Sequence, residues 1–134
     1  MPAVAIDLQV LGDVEPLWQA WLVDAARRGR AELDPGHLDE QLPNWRPLLE
    51  RFAADCAPVY LRPSAPVTTA LRRLHAEGTR IGVFTAYPEE LARVALAHLG
   101  ASRRVADVVC GPAAEERLLE LLGPARVVRT APEL

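Results

Sequence analysis

The chain has 134 residues, of which 50% are hydrophobic and 25% are charged, and its formal net charge is −3. This size and composition predict a single globular domain with an ordinary hydrophobic core. Charges of both signs are mixed along the chain, which argues against a nucleic-acid surface. No apolar run approaches the ~20 residues that cross a membrane, and no basic segment precedes an apolar one at the N-terminus, so we expect a cytoplasmic protein without a membrane partner.

All 15 basic residues are arginines, because the sequence contains no lysine. Chemistry that depends on a lysine ammonium group, such as Schiff-base formation or P-loop phosphate binding, is therefore excluded. The two cysteines, Cys56 and Cys110, lie in unrelated contexts without the spacing of metal ligands. In a chain without an export signal, they are predicted to be free and largely buried thiols.

The first part of the chain predicts one strand followed by helices. Residues 3–8 form a short apolar run with one acid near its end, which is typical of a strand buried on both faces. Residues 13–30 then change to helical spacing, with Asp13 as a candidate N-cap and three arginines in the last turn. A short helix at 37–42 and a longer one at 45–56 are expected to follow.

Helices and strands alternate through the rest of the chain. Helices are predicted at 67–77, 88–99 and 113–122, and strands at 80–85, 105–110 and 125–129. This alternation predicts an α/β fold, in which a small Rossmann-like parallel sheet carries helices on both faces and the crossovers are right-handed. We assign residues 1–12 and 60–134 to this core and residues 13–59 to a helical, cap-like insertion.

The polar residues at the strand ends are the candidates for a functional site, because ligands of parallel sheets bind at the carboxyl ends of the strands. These candidates are Asp7, Gln9, Thr85, Cys110, Arg129 and Thr130. A buried core thiol is the favoured interpretation of Cys110, and a reactive thiol is the alternative.

Histidines and tryptophans give weaker signals. His37, His75 and His98 lack the spacing of metal ligands and are predicted to be surface or half-buried residues. The insertion contains Trp18, Trp21 and Trp45. Core packing is the favoured interpretation of the tryptophans, and a surface for a partner is the alternative.

Three stretches of the sequence carry a family resemblance. The segment Ile6-Asp7-Leu8-Gln9 is soon followed by Asp13-Val14-Glu15-Pro16-Leu17-Trp18. Residues 75–85 run from a helix end through a glycine into a strand that ends in threonine, and residues 107–111 form a further apolar strand. Together these stretches resemble the haloacid dehalogenase (HAD) superfamily, in particular its phosphoglycolate phosphatase-like members.

The resemblance implies roles for the residues that match the family motifs. Asp7 takes the position of the nucleophile that forms an aspartyl-phosphate, and Thr85 that of the residue holding a phosphate oxygen. Gln9 stands at the acid/base position, where an amide cannot transfer a proton. The catalytically active members of this family also use a lysine. They further use acids after the fourth strand, which help to bind Mg²⁺. In this chain the lysine is missing, and Arg129 stands near the expected acid.

Two functional hypotheses follow from these differences between the chain and the family motifs. The first is a pseudoenzyme, which has a HAD-like hydrolase fold but impaired catalysis and acts by binding a small anion, a protein partner or a second copy of itself. Gln9, Thr85 and Arg129 are then candidate anion-binding residues, and no metal or other cofactor is expected at Asp7. The second is a phosphomonoester hydrolase that uses Asp7 as its nucleophile and requires Mg²⁺.

Arg129 has two predicted environments. It could replace the missing cations as the partner of Asp7, because the first and fourth strands are neighbours in this fold and a guanidinium can satisfy a carboxylate with two hydrogen bonds. The alternative is that Arg129 points to solvent. A short sheet with an uncovered edge, together with the three tryptophans, further predicts a homo-oligomer.

Overall fold

The computed structural model of the chain describes residues 2–30 and 32–134. Met1 of the predicted core and Ala31 of the predicted insertion lie outside the described residues. The four strands of the described part are β1 (Ala3–Asp7), β2 (Arg80–Thr85), β3 (Asp107–Cys110) and β4 (Arg126–Val128). Its α-helices are α1 (Leu8–Leu11), α2 (Glu15–Gly29), α3 (Leu38–Gln41), α4 (Trp45–Tyr60), α5 (Ala65–Ala76), α6 (Glu89–His98) and α7 (Ala114–Leu122).

The strands form one parallel sheet in the order β3-β2-β1-β4. Asp7 at the end of β1 lies opposite Phe84 of β2, and Thr85 lies opposite Cys110 of β3. The chain moves outward from β1 to β3 and then returns to the other side of β1. The order therefore reverses between β1 and β4, which is where such sheets place their ligands. The predicted α/β fold with a parallel sheet is confirmed.

The two faces of the sheet are covered unequally. The larger core contains Val4 and Ile6 of β1 and Ile81 and Val83 of β2, packed against helices of the insertion and against α5 and α6. The opposite face carries a smaller core, in which Ala5 and Phe84 pack against α7 through Leu118. This unequal cover follows from the topology, because the two outward crossovers lie on one face and the returning crossover lies on the other.

A close approach fixes the position of α7 on its face of the sheet. Gly82 lies in the middle of β2, and a Cβ atom at this position would lie 2.8 Å from Cδ1 of Leu118. Leu118 is fully buried, so it has little room to move away. Glycine at position 82 therefore allows the helix to lie close to the central strand.

The insertion shares the larger hydrophobic core with the sheet. Trp18, Trp21 and Trp45 are all buried within it. The ring of Trp21 lies 5.4 Å from that of Trp18 and 6.1 Å from that of Trp45, so the aromatic contacts join α2 to α4. Core packing is thus the correct interpretation of the tryptophans.

Several element boundaries differ locally from the predictions. Helix α2 begins at Glu15 with Val14 at its N-cap, whereas Asp13 accepts a hydrogen bond from the backbone N–H of Glu15 at 3.1 Å. Leu8, predicted in the first strand, instead begins α1. Strand β4 ends at Val128, so Arg129 lies beyond it. Within the described ranges, none of the helices has the length and apolar character needed to cross a membrane.

Candidate functional site

Asp7 stands at the junction of β1 and α1. It is the last residue of the strand and the N-cap of the helix, with extended backbone angles. Its Oδ1 accepts a hydrogen bond from the backbone N–H of Gln9 at 3.0 Å. This arrangement is a normal use of aspartate, because a carboxylate at the N-cap satisfies a free N–H group of the first helical turn. The side chain of Gln9 is exposed beside it.

Thr85 ends the neighbouring strand and lies at the same edge of the sheet. It is buried, with 6% of its surface exposed, and its Oγ1 accepts a hydrogen bond from the backbone N–H of Tyr87 at 3.3 Å. Asp7, Gln9 and Thr85 together line a pocket of about 430 Å³. The structure therefore brings together three of the residues that the sequence placed at strand ends.

Two further acids line this pocket and were not predicted as site residues. Asp13 and Glu15 contribute to its wall, next to Asp7. Among the described residues, the lining contains three acidic side chains and no basic one. The sequence pattern at these acids indicates a helix start and part of the family resemblance, and it does not by itself indicate a place in the pocket. Because like charges repel each other, this lining is unfavourable for a phosphate dianion.

The carboxylates of the pocket already have hydrogen-bond partners. Asp13 accepts from the backbone of Glu15, and Glu15 Oε1 accepts from Nε2 of Gln19 at 2.8 Å. In the described part of the chain, no three histidine, cysteine or acidic side chains are grouped as a metal ion would require. Gln9 offers a neutral amide where the resemblance implies a carboxylate. The donor set does not fit the Mg²⁺ site of the active enzymes that the sequence resembles.

Arg129 does not lie in the Asp7 pocket, and its predicted pairing with Asp7 is wrong. Its Nη2 lies 2.6 Å from Oε1 of Glu115, in the first turn of α7, and no described ion pair joins it to Asp7. Val128 is buried in the larger core, so the alternation of the strand directs the next side chain toward the α7 face. Glu115 lies on that side and takes the guanidinium. The alternative, that Arg129 points to solvent, describes its exposure correctly, since 59% of the side chain is accessible, but the guanidinium is also paired with Glu115.

A second pocket adjoins the first at the ends of β2 and β3. It has a volume of about 590 Å³, shares Ala86 with the Asp7 pocket, and includes Cys110, Arg46 and Arg117. Both arginines are engaged, since Arg46 pairs with Glu90 of α6 at 2.9 Å and Arg117 donates to the backbone carbonyl groups of Cys110 and Pro112.

Cys110 is a free thiol that the protein keeps protonated. Burial raises its pKa to about 11, and the nearby charges of Glu89 and Glu90 act in the same direction. A thiol becomes a good nucleophile only as the thiolate, so this environment suppresses its reactivity at neutral pH. The structure favours an unreactive thiol over a reactive one, but Cys110 is half-buried at a pocket wall, not buried in the core as predicted.

The histidines are separated from one another, and two of them have hydrogen-bond partners outside the Asp7 pocket. His37 Nδ1 lies 2.8 Å from the carboxylate of Asp34 in the turn before α3, and His98 Nε2 lies 3.0 Å from the carbonyl oxygen of Leu61. His75 is exposed on α5. None of the three lines the Asp7 pocket as described.

Comparison with known proteins supports the fold assignment. No protein-family model matches the chain, and no curated protein matches it either. Among solved structures, it is similar to one described as a "putative beta-phosphoglucomutase from Thermotoga maritima", with 22% identity, a TM-score of 0.57, and coverage of 96% of this chain and 75% of that one. It is also similar to a hydrolase from Streptococcus pneumoniae TIGR4, with 15% identity, a TM-score of 0.51, and coverage of 93% and 79%. At these identities the likeness shows the fold, and the chain has the HAD-like fold that the resemblance predicted.

Proposed function

We propose that this chain is a HAD-fold protein with impaired catalysis that acts by binding a protein partner. The observation that carries this proposal is the lining of the Asp7 pocket, in which three carboxylates meet no basic side chain among the described residues. Phosphoryl transfer depends on positive charge that stabilises the transferring group. Here the residue at the nucleophile position is surrounded by charge of the wrong sign.

The expected loss of activity can be estimated from the parts that are missing. Replacing a general acid/base by Gln9 costs ~10²- to 10⁴-fold in rate. Two like charges ~4 Å apart near a protein surface repel each other by about 4 kcal/mol at an effective dielectric constant of about 20. The sequence has no lysine, and Arg129 is paired with Glu115. Neither a lysine nor Arg129 therefore supplies a cation that would offset the repulsion between the pocket carboxylates and a phosphate group. These losses do not add strictly, but each acts against hydrolysis.

The same charges bear on the choice between a small anion and a protein partner. An anion in the Asp7 pocket would face Asp7, Asp13 and Glu15 at once. A protein partner can instead contact the surface of the insertion and does not have to enter this pocket. We therefore favour the partner over the anion.

The alternative function is phosphomonoester hydrolysis with Asp7 as the nucleophile. One observation favours it, because Asp7 and Thr85 line the same pocket, as the nucleophile and the phosphate-holding residue must. The alternative requires cations from outside the described lining.

The experiment is a hydrolase assay of the purified chain against p-nitrophenyl phosphate and a panel of phosphate esters, with and without Mg²⁺. We expect the same kcat/KM for the wild type and for Asp7→Asn, because Asp7 performs no catalysis. Gln9→Asp is expected to remain inactive, since it restores an acid but no cation.

A wild-type kcat/KM at least ~100-fold above that of Asp7→Asn, an effect of the size expected for a catalytic group, would overturn the proposal and support the alternative. Circular dichroism of both variants controls for folding. Calorimetric titration with inorganic phosphate separates the two binding hypotheses, and we expect no measurable heat of binding. Micromolar phosphate affinity that is lost in Thr85→Val would favour the anion.

A further inference from the structure

The exposed apolar residues of the chain are concentrated on the insertion. Six large hydrophobic side chains are exposed in the described part, and four of them belong to α2 and α4: Val23, Leu48, Val59 and Tyr60. Exposed apolar residues scattered singly need no explanation, but a cluster indicates an interaction surface. The concentration is therefore a property of this helix pair.

Three of these residues, Val23, Leu48 and Tyr60, line two grooves between α2 and α4, which together we call the hairpin seam. A groove of about 300 Å³ joins the end of α2 to the first half of α4 and includes Leu48. A second groove of about 440 Å³ joins an earlier part of α2 to the end of α4 and includes Val23 and Tyr60. The two grooves share Asp24 and Phe52, so the helices run antiparallel and the seam is continuous.

We propose that the hairpin seam is the contact surface for a second copy of this chain. Two antiparallel helix pairs packed face to face form a four-helix bundle, in which each pair supplies half of the apolar core. Helices α2 and α4 have 15 and 16 residues. They are therefore about 22 and 24 Å long, enough for several turns of each helix to contact a partner. The seam supplies apolar side chains along this length.

The charges around the seam favour a second copy over a partner of one charge sign. The groove of about 440 Å³ is lined by Arg27 and by the shared Asp24. The groove of about 300 Å³ is lined by two acids and two arginines: Asp24, Asp55, Arg28 and Arg51. A twofold contact pairs a surface with itself, which requires both signs on the same patch. Strongly acidic or basic partners would face repulsion from half of these groups.

One pair of charges remains available for the contact. Asp24 already pairs with Arg28 at 3.1 Å within the chain. Arg51 and Asp55 are four residues apart on α4, yet no described ion pair joins them. In a twofold dimer, the guanidinium of one copy can approach an acid of the other. Such a rim contact sets orientation more than affinity.

This inference rests on the proposed function, because it identifies the proposed protein partner as a second copy of the chain. Its test measures the oligomeric state and does not depend on hydrolase activity. Sedimentation of the full chain at tens of micromolar is expected to give a dimer. The double variant Val23→Glu/Leu48→Glu is expected to be monomeric, with a dissociation constant raised at least ~100-fold, since burying charge in an apolar contact is costly.

The chain offers a closely matched control. Leu121 and Val108 are the other two exposed hydrophobic residues, at 53% and 39% exposure, against 55% for Val23 and 39% for Leu48. Leu121→Glu/Val108→Glu adds the same charge at the same exposure outside the seam, so it is expected to remain dimeric. If Val23→Glu/Leu48→Glu fails the circular dichroism check for folding, Val23→Ser/Leu48→Ser replaces it, with the same expected direction.

A wild-type monomer, or equal dissociation of both double variants, would overturn the inference. The phosphatase assay on the same samples separates this failure from that of the proposed function. If the chain is a dimer that hydrolyses esters through Asp7, the dimer proposal stands and the proposal of impaired catalysis fails. If the chain is a monomer without activity, the dimer proposal fails and impaired catalysis stands.

Discussion

Strands β2 and β4 belong to the same sheet, with β1 between them, but their side chains have very different surroundings. Strand β2 has six residues, and all but Arg80 are buried. Strand β4 has three residues and a free edge; Arg126 is exposed and Val128 alone is fully buried. Thr85 at the end of β2 lies in the pocket that its position predicts, whereas Arg129 beyond β4 turns to α7.

The comparison shows which residues have little freedom in this fold. A side chain of a central strand is held by neighbours on both faces and by both adjacent strands, so its direction follows from the alternation alone. A polar side chain past the end of an edge strand has fewer constraints and takes whichever partner lies within reach. The fold therefore constrains residues at the ends of central strands more closely than residues beyond an edge strand.

The largest effect is expected where α7 packs on β2. Leu118→Ala is expected to lower the free energy of unfolding by about 2–5 kcal/mol, because Leu118 is fully buried and a cavity would remain. Leu121→Ala on the same helix is the control, with an expected change within about 0.5 kcal/mol because its side chain is exposed. Urea unfolding measures both. Equal effects at the two positions would contradict the packing described for β2.

Gly82→Ala tests the close approach of the same helix. The added methyl group would lie 2.8 Å from Cδ1 of Leu118, so we expect a loss of about 1–3 kcal/mol from overpacking. Gly29→Ala, whose added methyl would meet no atom within 4 Å, is the control. In the double variant Gly82→Ala/Leu118→Ala, the two losses should be less than additive, since the methyl fills part of the cavity. Strict additivity would count against the contact.

Cys110 lies opposite Thr85, at the end of β3. Its thiol is a strand-end group whose surroundings can be tested by titration. Its pKa of about 11 exceeds the ordinary value of 9.0, so the folded chain favours the protonated thiol. At pH 8 in a Cys56→Ser background, iodoacetamide should label Cys110 at least about tenfold more slowly in the folded chain than in urea.

The sign of the pH dependence provides a second readout for Cys110. Because the folded-state pKa is raised, the stabilisation is present below pH 9 and is lost as the pH rises toward 11. Cys110→Ser removes this contribution, so its free energy of unfolding should fall less over that interval than that of the wild type. A labelling rate that levels off at the same pH in the folded and unfolded chains would refute the raised pKa.

The smallest effect is expected at the end of β4. Arg129→Met should change the free energy of unfolding by about 1 kcal/mol or less, because the guanidinium is largely exposed. A double-mutant cycle with Glu115→Gln should show a coupling energy, whereas a cycle with Asp7→Asn should show none. Coupling to Asp7 alone would restore the partner that the strand order suggested.

Much of the fold could be predicted because its signals are local and repeated. The apolar run of β2, the glycine that follows α5 and the alternation of helices with strands each constrain the backbone directly. The position of the site was also predictable from strand ends. Asp7 and Thr85 are the last residues of neighbouring parallel strands, whose carboxyl ends meet at one edge of the sheet.

Other features were decided only by tertiary structure. The acidity of the pocket depends on how the loop after α1 and the start of α2 place Asp13 and Glu15, which sequence spacing did not reveal. The partner of Arg129 depends on Glu115, which reaches β4 only because α7 crosses back over the sheet. Hydrophobic periodicity predicts which face of a strand or helix a side chain occupies. Burial favours apolar residues at every second position of a strand and at about every fourth position of a helix. A single charged group instead selects among distant partners by distance, and distances between remote segments exist only once the chain has folded.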